Sequence, residues 1–112
     1  MDAKESEKRE TLSRVAQEIG SVIRRQAHRK WDTVRMAERN EGRRHVWKFQ
    51  SGPDRTDRFL AVTHEAMVQG EDAAPLLLEQ LKAGGWLDRL HEGPETALIL
   101  SKGGHLETWA RQ

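Results

Sequence analysis

Between Ala27 and Val34 the apolar residues of this chain change their period, and no other feature restricts its fold as much. Before the change, Leu12, Val15, Ala16, Ile19, Val22, Ile23 and Ala27 recur at steps of three and four, the single stripe of an amphipathic helix. After it, Val34 and Met36 alternate with Thr33 and Arg35 in "WDTVRMAE" (31–38). Trp47 and Phe49 likewise alternate with Val46 and Lys48 in "RHVWKFQ" (44–50). "DRFLAVT" (57–63) is a shorter apolar run, and the connectors "RNEG" and "SGPD" are rich in turn formers. A helix followed by a three-stranded meander is the economical expectation.

Thr63 then reads as the N-cap of "HEAMVQ". Pro75 marks the start of a helix carrying Leu76, Leu77, Leu78 and Leu81, which Gly84-Gly85 ends. "WLDRLHEG" adds a turn or two through Trp86, Leu87 and Leu90. Gly103-Gly104 joins the last two apolar runs and predicts a hairpin, because both turn positions need positive φ. The expected class is α+β: an N-terminal helix, an antiparallel three-stranded meander, two short helices on one sheet face and a C-terminal β-hairpin. A winged helix-turn-helix over 75–104 is the weaker alternative, since "WLDRLHE" is acidic and short for a recognition helix.

The 112 residues are one domain's worth, 1–112, with enough chain for a core. Only "MDAKESEKRE" at the N-terminus, whose apolar residues are Met1 and Ala3, is expected to fray. Gly20 should weaken the first helix by about 1 kcal/mol relative to Ala unless a neighbour packs closely there. The chain has no cysteine, which removes disulfides, thiolate catalysis and thiolate metal sites. No apolar run reaches membrane-span length and no signal-peptide core is present, so a soluble cytoplasmic protein with no membrane partner is expected.

A net charge of +1 conceals an uneven distribution: residues 1–50 sum to +5, residues 51–112 to −4, and 24–48 alone to +6. Arg24, Arg25, His28, Arg29 and Lys30 crowd the end of the first helix, where cations favour the carbonyl end of its dipole. In the first hairpin, setting Val34 opposite Phe49 and Met36 opposite Trp47 aligns apolar residues and leaves a loop of Asn40 to Arg43. That register places Arg35 opposite Lys48 and Arg39 opposite Arg44, unfavourable pairs that an anionic ligand or carboxylates elsewhere must offset. The candidate anion or nucleic-acid patch is therefore Arg24, Arg25, Arg29, Lys30, Trp31, Arg35, Arg39, Arg43, Arg44 and Lys48, with Trp31 able to stack a base. An ordinary solvated strand face accounts for the same cations.

Catalytic patterns are missing. His64-Glu65 and His91-Glu92 lack the two-turn spacing of a zinc-protease helix, which leaves only a His from each of two elements plus a carboxylate as a metal reading. Ser51 and Ser101 have no nucleophile-elbow context, and neither "SGPDRTDR" nor "SKGGH" is a phosphate-binding fingerprint. No enzyme activity, cofactor, metal site or small-molecule substrate is read from the chain. Four Trp in 112 residues belong either to the core or, at Trp31 or Trp109, to an interface with a second copy. The expected role is a non-catalytic interaction module whose partner is another protein chain or itself, with nucleic acid at the 24–48 strip as the alternative.

Overall fold

The computed structural model describes residues 3–51, 56–70, 72–93 and 96–110. Helix α1 runs from Ala3 to Lys30, roughly 42 Å at ~1.5 Å per residue. Its buried side is the sequence stripe: Val15, Ala16, Ile19, Ile23 and Ala27 all face the core. The helix includes Ala3–Glu10, which belong to the Met1–Glu10 segment named above. Glu5 with Arg9 and Glu10 with Arg14 are spaced four apart with the acid first, the order that supports an exposed helix. Met1 and Asp2 lie outside the described residues.

Strands β1 (Val34–Glu41), β2 (Arg44–Ser51) and β3 (Thr56–Thr63) form the expected antiparallel meander. Of the "SGPD" connector, only Ser51 lies within the described residues. The first hairpin closes two residues tighter than the apolar pattern proposes: Met36 faces Phe49 and Glu41 faces Arg44. A shift of two keeps every side chain on its own face, so hydrophobicity cannot choose between the two registers. The turn chooses, because Gly42 adopts φ 64° and permits a two-residue connection through Gly42 and Arg43.

Helix α2 (His64–Met67) starts at Thr63, whose Oγ1 accepts a hydrogen bond from the Ala66 amide at 3.2 Å. Helix α3 (Ala73–Ala83) holds Pro75 in its first turn and ends at Gly84 and Gly85, the latter left-handed at φ 68°. Helix α4 (Trp86–Glu92) follows at once, so three short helices stand where two were expected. Strands β4 (Ala97–Leu100) and β5 (Leu106–Thr108) flank Gly103 and Gly104, both at positive φ.

The hairpin is not separate from the meander. All five strands form one sheet in the order β1-β2-β3-β4-β5, and β3 pairs with β4 in parallel. The expected meander and C-terminal hairpin are both present, but they are parts of one mixed five-stranded sheet, and the reason is the connection. Parallel neighbours need a crossover of a dozen or more residues, usually helical, and residues 64–96 supply one through α2, α3 and α4.

The helices line one face of this sheet. Trp47, Phe49, Leu60, Val62, Leu98 and Leu100 point from the strands into a single cluster with Ile19, Ile23, Met67, Leu77, Leu81 and Leu90 from the helices. Trp86 and Trp31 close the end of that cluster around Phe49, each with ring centroids 5.7 Å from it.

Candidate interaction face of the sheet

Strand alternation sends the remaining side chains to the opposite, outer face. Arg35, Ala37, Arg39 and Glu41 of β1 share it with Arg44, Val46, Lys48 and Gln50 of β2. Asp57, Phe59, Ala61 and Thr63 of β3 lie beside Ala97 and Ile99 of β4, with Glu107 of β5 at the far edge. Trp109 joins them just past β5, its amide bonding the Ala97 carbonyl at 2.9 Å.

Four members of the sequence-derived patch, Arg35, Arg39, Arg44 and Lys48, do share this face, and Arg43 is exposed at the turn beside it. The like-charge pairs are gone, because the tighter register puts Glu41 across from Arg44 and Gln50 across from Arg35. Arg39 Nε bonds Glu41 at 2.8 Å, Lys48 Nζ lies 3.8 Å from Asp57, and the Arg44 guanidinium sits 5.0 Å from the Trp109 ring centroid. Carboxylates of this chain thus supply the offset that the sequence required from somewhere.

The other members do not join them. Trp31 is 7% exposed and packs on Phe49 and His91 on the helix side, so its ring faces no open surface on which to stack a base. Its place at the end of α1 turns it under the helices rather than over the strands. Lys30 is held by Asp88 at 3.0 Å and Glu92 at 3.8 Å, tying α1 to α4 and raising the Lys30 pKa through the Asp88 hydrogen bond and charge. Arg24, Arg25 and Arg29 are exposed on α1, the layer that packs on the inner face of the sheet. The 24–48 strip is split in two by the thickness of the fold.

Sequence patterning missed the apolar content of the outer face. Val46, Ala61 and Ala97 are 2%, 0% and 3% exposed, yet they stand outside the helix-side core. Phe59, Ile99 and Trp109 beside them are half-buried. The signal was present in the unbroken runs "FLAV" and "ALIL", which lack the polar alternation of a strand with one wet face. Among the described residues no helix packs on this side. Arg44 belongs to β2 and Trp109 follows β5, so their contact bridges the apolar strip over β3 and β4. A depression of about 370 Å³ opens next to it among Ala37, Arg39, Glu41, Val46, Lys48, Asp57 and Phe59.

A second polar cluster lies where β1 meets α1. His45 is 9% exposed, its ring 4.6 Å from that of Trp47, and its two nitrogens reach Glu38 Oε2 at 2.8 Å and Asn40 Oδ1 at 3.1 Å. His64 Nε2 meets the same Asn40 oxygen at 2.9 Å, and the His64 amide donates to the Arg43 carbonyl at 2.8 Å. Burial, then His45 and Lys8, lower the His64 pKa. A groove of about 450 Å³ leads to the cluster between Arg9, Leu12, Ser13, Ala16 and Gln17 of α1 and Glu38, Asn40 and His45 of the sheet.

Among the described residues no group of three or more His, Asp or Glu side chains is placed to hold a metal ion, and no helix is long and apolar enough to cross a membrane. No protein family, curated protein or solved structure matches the chain. Fold and site together define a class: an α+β domain in which, among the described residues, helices cover one sheet face and leave the other bare of helices.

Proposed function

We propose that this is a non-catalytic protein-interaction module of the cytoplasm, and that the bare sheet face is where another protein chain docks. One observation carries the reading: the sheet is apolar on both faces while its own helices cover one. A sheet buried on both faces carries near-continuous apolar strands, as β3 and β4 do. The arrangement has the anatomy of an interface, with the half-buried Phe59, Ile99 and Trp109 at the centre and paired ions at the rim. A second copy of this chain is the first occupant to test, because it requires no other component.

Sedimentation velocity over rising protein concentration tests it, with Ile99→Arg as the control. A charge placed at the half-buried centre of the bare face leaves the helix-side core untouched. The wild type should form dimers that Ile99→Arg abolishes, with both variants equally folded by circular dichroism. A monomer at up to about 1 mM, where even ~4 kcal/mol of association would register, overturns self-association.

Nucleic acid is the second reading, favoured by Arg35, Arg39, Arg44 and Lys48 on one face with Phe59 and Trp109. It has to break existing contacts: Arg39 and Lys48 already hold carboxylates, and Arg44 lies against the Trp109 ring.

A further inference from the structure

The groove between α1 and the β1–β2 hairpin has a chemistry that the docking face does not explain. Its helix wall is built from two rows. Arg9, Ser13 and Gln17 stand four residues apart along an exposed rim, and the more buried Leu12 and Ala16 form the floor beside them. Glu38, Asn40 and His45 make the opposite wall. On that sheet side the acceptors are already occupied, the Glu38 carboxylate by His45 at 2.8 Å and the Asn40 oxygen by His45 at 3.1 Å and His64 at 2.9 Å. On the helix side donors are left over: among the described residues the side chains of Arg9, Ser13 and Gln17 hold no hydrogen bond or ion pair. The floor row continues to Gly20, where α1 comes against Trp47, and there the buried indole Nε1 also has no partner.

We propose that this groove binds a small organic anion, a carboxylate or phosphate head on a short apolar body, with Arg9 and Ser13 receiving the head and Leu12 and Ala16 covering the body. A guanidinium presents a fork of N–H donors that matches either head, and a hydroxyl adds one donor more. The field has the same sign. Lys8 and Arg9 outnumber Glu38, whose carboxylate His45 already holds. Lys8 also acts on His64, whose pKa is lowered by burial first and then by His45 and Lys8. The size fits as well: about 450 Å³ lies within the ~300–1,000 Å³ of small-molecule sites. From Arg9 to Gln17 the groove follows the helix for about 12 Å at ~1.5 Å per residue, room for a head group and a chain of about six carbons. It lies on the helix side of the sheet, away from the face proposed for docking, so the two readings stand or fall separately.

The test is a titration of the full chain with sodium hexanoate, hexyl phosphate and hexylammonium chloride, each to about 10 mM, where even a millimolar dissociation constant saturates. The readouts are the ring-proton NMR resonances of the histidines and the indole N–H resonances of the tryptophans. At least one anion should move His45 and the Trp47 indole together and saturably, while His28, His91 and His105 stay in place; the tighter of the two anions names the head. Hexylammonium, with the same tail and the opposite charge, should move nothing. Arg9→Gln should weaken anion binding by about 10- to 100-fold, the worth of hydrogen bonds to a charged group. Arg14→Gln removes the same charge from an exposed position of α1 outside the groove lining and should leave the affinity unchanged. Both positions are exposed, so neither variant endangers the fold. Equal losses from the two variants would reduce the effect to net charge and overturn the site. So would equal binding of hexylammonium, shifts confined to Trp109 on the outer face, or silence of every resonance with all three probes.

Discussion

Replacing Gly20 by alanine sets two effects of known size against each other. On an exposed helix the change stabilises by about 1 kcal/mol, because glycine is the costlier residue in a helix interior. Here a methyl group would stand 3.1 Å from Trp47 Nε1, 3.8 Å from Trp47 Cε2 and 3.7 Å from Glu38 Oε2. Trp47 has no exposed surface and the His45 ring packs against it, so it has little room to withdraw. Overpacking of this kind costs about 1–3 kcal/mol, so the net expectation is a loss of up to about 2 kcal/mol. With a urea slope of about 1–3 kcal/mol per molar, a net loss of 1 kcal/mol lowers the midpoint by about 0.3–1 M. The Trp47→Leu background decides the cause: it removes the indole nitrogen that the methyl would meet, and there Gly20→Ala should stabilise by the full ~1 kcal/mol. Urea unfolding of the four proteins in a double-mutant cycle reads a coupling of about 1–3 kcal/mol. If Gly20→Ala raises the midpoint equally in both backgrounds, the close approach of α1 to Trp47 plays no part and the packing account fails.

Gly42→Ala should lose about 1–2 kcal/mol in the same assay, since φ 64° is costly for any residue with a Cβ, and Gly42→Asn should lose less. Equal loss from both would point away from the turn conformation. Trp31, Trp47 and Trp86 are at most 7% exposed and Trp109 is half-buried, so Trp109→Phe should remove the acrylamide-quenchable part of the emission. The lowered His64 pKa means that the unfolded chain takes up its proton first as pH falls. That contribution to stability is full above the unfolded value of about 6.5 and is lost as pH drops through the lower folded value. His64→Gln should accordingly shallow the fall in urea midpoint below neutrality, and an unchanged slope would remove His64 as its source. If nucleic acid were the partner, anisotropy with short oligonucleotides at about 50 and 200 mM salt would show a steep decline that Lys48→Ala flattens.

Sequence legibility followed locality. The stripe from Val15 to Ala27, the Thr63 cap, the Gly84-Gly85 stop and the Gly103-Gly104 hairpin all rest on contacts within a few residues, and each is where the pattern placed it. The β1–β2 register escaped because a slip of two preserves both faces, leaving one glycine's φ to decide it. The parallel β3–β4 seam escaped because it joins strands separated by three helices. The same distance effect hid the site. Arg44 and Trp109, and Asn40 and His64, meet only after the sheet is assembled. The Trp31 assignment failed for a simpler reason: alternation gives its side of the strand but not whether the preceding helix turns it inward.

The parallel seam also has a consequence during synthesis. The β3 edge, built from Phe59 to Val62, has no partner until residues 97–100 have been made. At ~5–20 residues per second, the intervening stretch 64–96 keeps that edge open for roughly 2–7 s on every ribosome. For those seconds the nascent chain offers an apolar strand edge to whatever is near, including its neighbours on the same message. A chain released before residue 97 would keep that edge open for good, so truncated products should be the insoluble ones.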